Sequence, residues 1–210
     1  MVRHAGVLAL VGLVLGTQHT LRAESFKATG ERMTHFYLSP TLQDFDTIQK
    51  GIKSHLKKFE SRDEESGTAL MAAVFLARVT EKYHYPLLDI GDLDDTAKSI
   101  IAKDASEISN YVNDDSQVDP GKLDLWWVSY FATGETHYLD NILAQVADPK
   151  SVSGTTQELV AWAANWSLSS NCEQHPAVMD YVRSVLGRQP SPTNADALRE
   201  AIARVGKRDG

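Results

Sequence analysis

The sequence predicts an all-α protein: an antiparallel helix bundle or irregular α-solenoid of about seven core helices, with no sheet. Three observations carry that expectation. Apolar residues recur at three- and four-residue steps through most of the chain. The segments they mark are separated by short stretches of Pro, Gly and capping residues. No segment alternates apolar and polar side chains with the β-branched enrichment of a strand. Short connections make successive helices antiparallel neighbours.

Residues 1–23 read as a secretory signal peptide. Arg3 supplies a short positive start, and Ala5 to Leu15 form an apolar run of 11 residues. A signal core spans roughly 7–15 residues, whereas a helix that crosses a bilayer needs about 20. Leu21-Arg22-Ala23 closes the segment, with cleavage expected after the small Ala23. The alternative is an uncleaved N-terminal helix that anchors the chain or packs on the domain. No cysteine lies near Ala23 to carry a lipid. The chain's single cysteine, Cys172, has no partner for an internal disulfide and is expected as a small buried apolar residue. Stability must then come from the apolar core.

Net charge bounds the partners. The chain carries 21 basic and 28 acidic side chains. Loss of Arg3 and Arg22 with the signal leaves 19 against 28, or −9. That balance argues against nucleic acid or anionic lipid as the main partner, because both select basic surfaces. After the signal every apolar run is broken by charges, so no integral membrane span is expected.

The elements follow in order. Residues 24–35 are polar and weakly patterned, which suggests an extended leader. The helical domain is expected over 36–187. Ser39-Pro40 offers an N-cap and a first-position proline ahead of Phe45, Ile48, Ile52, Leu56 and Phe59, all on one helix face. Lys50, Lys53, Lys57 and Lys58 fall on the other side; they could face an anionic partner, but a solvated surface is the simpler account. Ser61 to Gly67 is a charged turn. Thr68 onward is apolar nearly all round, a helix expected to run to about Tyr83, with Pro86 barring continuation. Asp92, Asp94 and Asp95 precede a periodic segment carrying Ala97, Ile101, Ala105, Ile108 and Val112.

Asp119-Pro120 repeats the cap-plus-proline device and opens a helix over Leu123 to Ala132, with Gly134 as its stop. Leu139, Ile142, Leu143 and Val146 mark the next. Thr155 and Glu158 have capping-box spacing ahead of Leu159, Trp162, Ala163 and Trp166. His175-Pro176 starts a helix with Val178, Val182 and Val185, ended by Gly187. Residues 188–210 read as a Pro/Ser linker and a short amphipathic helix with Leu198, Ile202 and Val205.

The stretch from Leu125 through Trp126, Trp127, Tyr130, Phe131, Gly134 and Tyr138 resembles the aromatic–Gly–aromatic turn region of tetratricopeptide-type helix pairs. Together with Trp166 to Asn171 and His175-Pro176, it is similar to exported bacterial helical proteins built of stacked helix pairs. The resemblance covers about a quarter of the chain. It implies helix stacking and no particular reaction. The tetratricopeptide pattern itself is not met, since no 34-residue period recurs.

Candidate chemistry is sparse. Ser54-x-x-Lys57 and Ser169-x-Asn171 match elements of penicillin-recognising enzymes, but no Lys-Thr-Gly strand accompanies them. Asp89, Asp92, Asp94 and Asp95 could hold a hard cation, yet the calcium-loop order fails and helix-start acids explain them. His35, His55, His84, His137 and His175 form no His-Glu-x-x-His pair. Asn165-Trp166-Ser167 formally matches a glycosylation acceptor inside an apolar helix. Phosphate loops and nucleophile elbows are absent. No metal site and no cofactor are expected.

Aromatic residues are the most suggestive feature. All four tryptophans, Trp126, Trp127, Trp162 and Trp166, fall in two predicted helices, with Tyr130 and Phe131 nearby. Trp126/Tyr130, Trp127/Phe131 and Trp162/Trp166 are i,i+4 pairs. These six residues are the candidate binding set, lining a groove between helices; packing in the core is the competing account. The functional expectation is an exported binding or interaction module without catalysis, periplasmic or secreted, for a protein, peptide or small ligand. The alternatives are a hydrolase whose His and Asp residues meet only in the fold, and a secreted factor acting on other cells.

Overall fold

Every regular element among the described residues is helical, and none of them forms a strand. The computed structural model describes residues 20–56, 66–88, 110, 112, 117–188 and 192–205. The α-helices are α1 (Thr20–His35), α2 (Leu42–Leu56), α3 (Ser66–Tyr83), α4 (Pro120–Thr133), α5 (His137–Ala144), α6 (Thr155–Gln174), α7 (Pro176–Gly187) and α8 (Pro192–Ala203), with a 3₁₀ turn at Phe36–Leu38. The all-α expectation is met. Among the described residues no helix is long and apolar enough to cross a membrane.

The chain divides into two compact units. One comprises residues 1–115 and 127–135, the other 116–126 and 136–210, so α4 contributes to both. In the first unit α1 packs on α2 and α2 on α3. Its core holds Phe36, Phe45, Ile48, Phe75 and Val79, all buried. Phe45, Ile48 and Ile52 are the face the periodicity marked on α2. Phe59 and the segment from Asp92 to Ile108 lie outside the described residues; Val112 is buried.

Residues 24–35 correct the sequence reading, for they are helical rather than extended. The composition suits a helix (Lys27, Ala28, Glu31, Arg32, Met33), and Lys27 pairs with Glu31 one turn on. Tertiary contact then fixes it. Met33 and Thr29 are buried, and Arg32 reaches Asp44 of α2 at 3.2 Å. Gly51 of α2 sits against Thr29, and a side chain there would collide with the Thr29 hydroxyl. Polarity hid the helix because its buried stripe is so narrow.

The cap of α2 is also displaced from the expected Ser39. The Ser39 N–H closes the 3₁₀ turn on Phe36 O at 3.2 Å. Thr41 caps instead: the Asp44 N–H donates to Thr41 Oγ1 at 3.1 Å, and that hydroxyl donates to Asp44 Oδ2 at 2.8 Å. Other stops stand where the sequence puts them. Helix α3 ends at Tyr83, with His84 at φ 55°, and α4 ends in Gly134 at φ 70°, whose N–H donates to Tyr130 O at 2.6 Å.

In the second unit α6 packs against α5, α7 and α8, and α8 also meets α7. Asp119 caps α4 through the Lys122 N–H at 2.9 Å, with Pro120 first in the helix. Leu139, Ile142, Leu143 and Val146 are buried, as are Val178 and Val182. Helix α8 is docked: Leu198 and Ala201 are buried, and Asn194 Nδ2 donates to Leu143 O at 3.2 Å. The expected Thr155/Glu158 capping box is not made. Gly154, at φ 105°, occupies the cap position without a side-chain bond, and its carbonyl accepts from the Glu158 N–H at 3.0 Å.

Candidate functional site

The six aromatic candidates divide sharply. In the first unit Trp127, Tyr130 and Phe131 are core residues, none more than 5% exposed. The Trp127 ring stacks on Phe131 at 5.7 Å, the i,i+4 contact the spacing implies, and meets Tyr130 edge-on at 6.4 Å. Tyr37, which the sequence reading did not single out, lies 4.9 Å from Tyr130 and hydrogen-bonds to it. Burial raises both hydroxyls above the usual tyrosine range, so neither ionises at physiological pH. In the second unit Trp126 is 1% exposed. These four do not wall an open groove; they fill the interior.

The first unit holds further aromatics that sequence periodicity missed. Phe36 contacts Phe75 at 5.6 Å, and Tyr83 stacks on Tyr85 at 5.5 Å. Phe36 and Tyr85 sit in the 3₁₀ turn and just after α3, where no helical pattern draws attention to them, while Phe75 and Tyr83 lie on α3 itself. Lys82 Nζ donates to Thr133 O at 2.6 Å and pairs with Glu135 at 3.1 Å, while Tyr83 OH donates to the same carbonyl at 3.3 Å. A cation on the last carbonyls of α4 suits the negative end of its dipole. The role is structural closure.

Helix α6 behaves in the opposite way. Leu159 is 51% exposed and Trp162 61%, while Ala163 and Trp166 are half-buried. Of the apolar face that the spacing marked on this helix, Leu159 and Trp162 therefore point outward, and core packing does not account for them. Its inner side carries Val160, Ala161, Ala164, Leu168 and Cys172, together with Asn165, Ser167, Ser169, Ser170 and Asn171. Such polar residues can be buried because their hydrogen bonds are met. Asn165 Nδ2 donates to Ala147 O at 2.7 Å and Ala161 O at 2.8 Å, Ser169 to Ala201 O at 2.6 Å, and Asn171 to Ser167 O at 2.9 Å. Small side chains on that face let α5, α7 and α8 approach closely. Indoles would not fit there.

The remaining candidates resolve briefly. Ser54 is exposed, and Lys57 with Asp89, Asp92, Asp94 and Asp95 lies outside the described residues. Ser169 and Asn171 are committed to carbonyls, and Asn165, the glycosylation candidate, is buried with its amide engaged. His84 and His137 are exposed, whereas His175 is fully buried at the junction of α6 and α7, where its carbonyl accepts from Val178 at 2.9 Å. Burial pushes the Cys172 thiol up to about 12, which leaves it protonated and a poor nucleophile. Among the described residues no three His, Cys, Asp or Glu side chains gather as a metal would require.

One titratable group escaped the sequence altogether. Asp124 lies on α4 five residues after the capping Asp119, and its carboxyl is pushed up to about 7, first by burial and then by the Asp119 charge. Nothing in the spacing marks it, because the shift comes from what covers it.

Compared with known proteins, the chain matches no family model, no curated protein and no solved structure. What can be said of its class rests on the fold and surface. It is an all-α protein that keeps tryptophans inside α4 and presents one, with an adjacent leucine, on the outside of α6.

Proposed function

We propose that the chain is an exported binding module without catalysis, and that it engages its partner through the outer face of α6. The observation that carries this is the exposure of Trp162 and Leu159 on a helix whose inward side is made mostly of small residues, half of the buried ones polar. Exposed indole is uncommon without a use, since one rigid side chain supplies a large contact area at little entropic cost. Leu159, Trp162 and Trp166 lie at i, i+3 and i+7, so they form one stripe. The other four aromatics hold the fold and leave the binding role.

Export is read from the N-terminal pattern of Arg3, the apolar run to Leu15, and Ala23. N-terminal sequencing of the chain recovered outside the cytoplasm should begin at Glu24. The binding role is tested by capture from a native envelope extract, with wild-type protein beside a Leu159→Ala/Trp162→Ala variant. A partner held by the first and lost from the second is expected, with identical melting curves for the two baits. Identical captured sets would remove the α6 face from the account.

A further inference from the structure

We draw no further inference here: the strongest candidate, the surface patch of Leu159 and Trp162 on the outer side of α6, belongs to the site already described, and nothing in the structure shows what covers it.

Discussion

The second half of α4 and the outer side of α6 hold the same kinds of residues at the same spacing, and they meet opposite fates. Trp127 and Phe131 stack in the core, one helical turn apart. Trp162 and Trp166, also one turn apart, lie on a face where the first indole is 61% exposed. The difference comes from the other side of each helix. On α4 the residues around Trp127 are Leu125, Trp126, Val128, Tyr130 and Ala132, all buried, so the helix is covered nearly all round. On α6 the sides compete for cover, and the small, hydrogen-bonded one prevails. Burial is decided by what a neighbouring helix can approach, and Ala164 and Ser169 admit a neighbour more closely than an indole does. Hydrophobicity alone therefore misassigns α6.

The strongest way to break this comparison is Trp127→Ala. The side chain is 1% exposed, and its indole N–H makes no hydrogen bond, so truncation removes apolar contact and leaves a cavity without orphaning a partner. A loss of about 3–5 kcal/mol is expected, read as a fall in the urea midpoint at unchanged slope. A loss below about 1 kcal/mol would mean that Trp127 is not core and that the contrast with α6 is false.

Asp124 offers a second test on the same helix as Trp127. A carboxyl raised to about 7 keeps its proton in the folded chain while the unfolded chain gives it up near 4. The folded state then binds more protons between those values, so stability falls as pH rises from about 4 to about 7 and levels off above. The effect at neutral pH is on the order of 2–4 kcal/mol. Asp124→Asn should be nearly as stable as the parent at pH 4 and more stable at pH 7.5. Parallel pH profiles for the two proteins would dispose of the burial ascribed to Asp124.

What the sequence made legible was helix grammar. Asp119-Pro120, Gly134, Tyr83 before Pro86, and His175-Pro176 all act where expected, because each is a local device set by backbone geometry or a cap. What it hid depended on distant residues. Helix α1 is held by Thr29 against Gly51 and by Arg32 to Asp44, contacts that no window over residues 24–35 contains. The aromatic set was legible as a cluster, but whether each member packs inward or faces solvent was not. At α2 two candidate caps, Ser39 and Thr41, stand close together, and only the 3₁₀ turn decides between them. Thr41→Ala should cost about 1 kcal/mol in thermal unfolding, with Ser39→Ala close to neutral. The reverse order would restore Ser39 as the cap.

The smallest expected effect is the one that sharpens the comparison most. Trp162→Ala gives up the indole's remaining contact with its own helix but gains alanine's better helix propensity, worth about half a kcal/mol. These terms oppose, and exposed substitutions of this kind stay within about 0.5 kcal/mol. The variant should therefore melt with the parent, although it removes the same side chain that Trp127→Ala removes. A measured loss of 2 kcal/mol or more would place Trp162 in the core. The outer side of α6 would then be ordinary packing, and its candidacy as a binding face would end there. A near-zero value, beside a large one for Trp127, leaves an exposed indole that stability does not require, and a contact with something outside the chain is what remains to account for it.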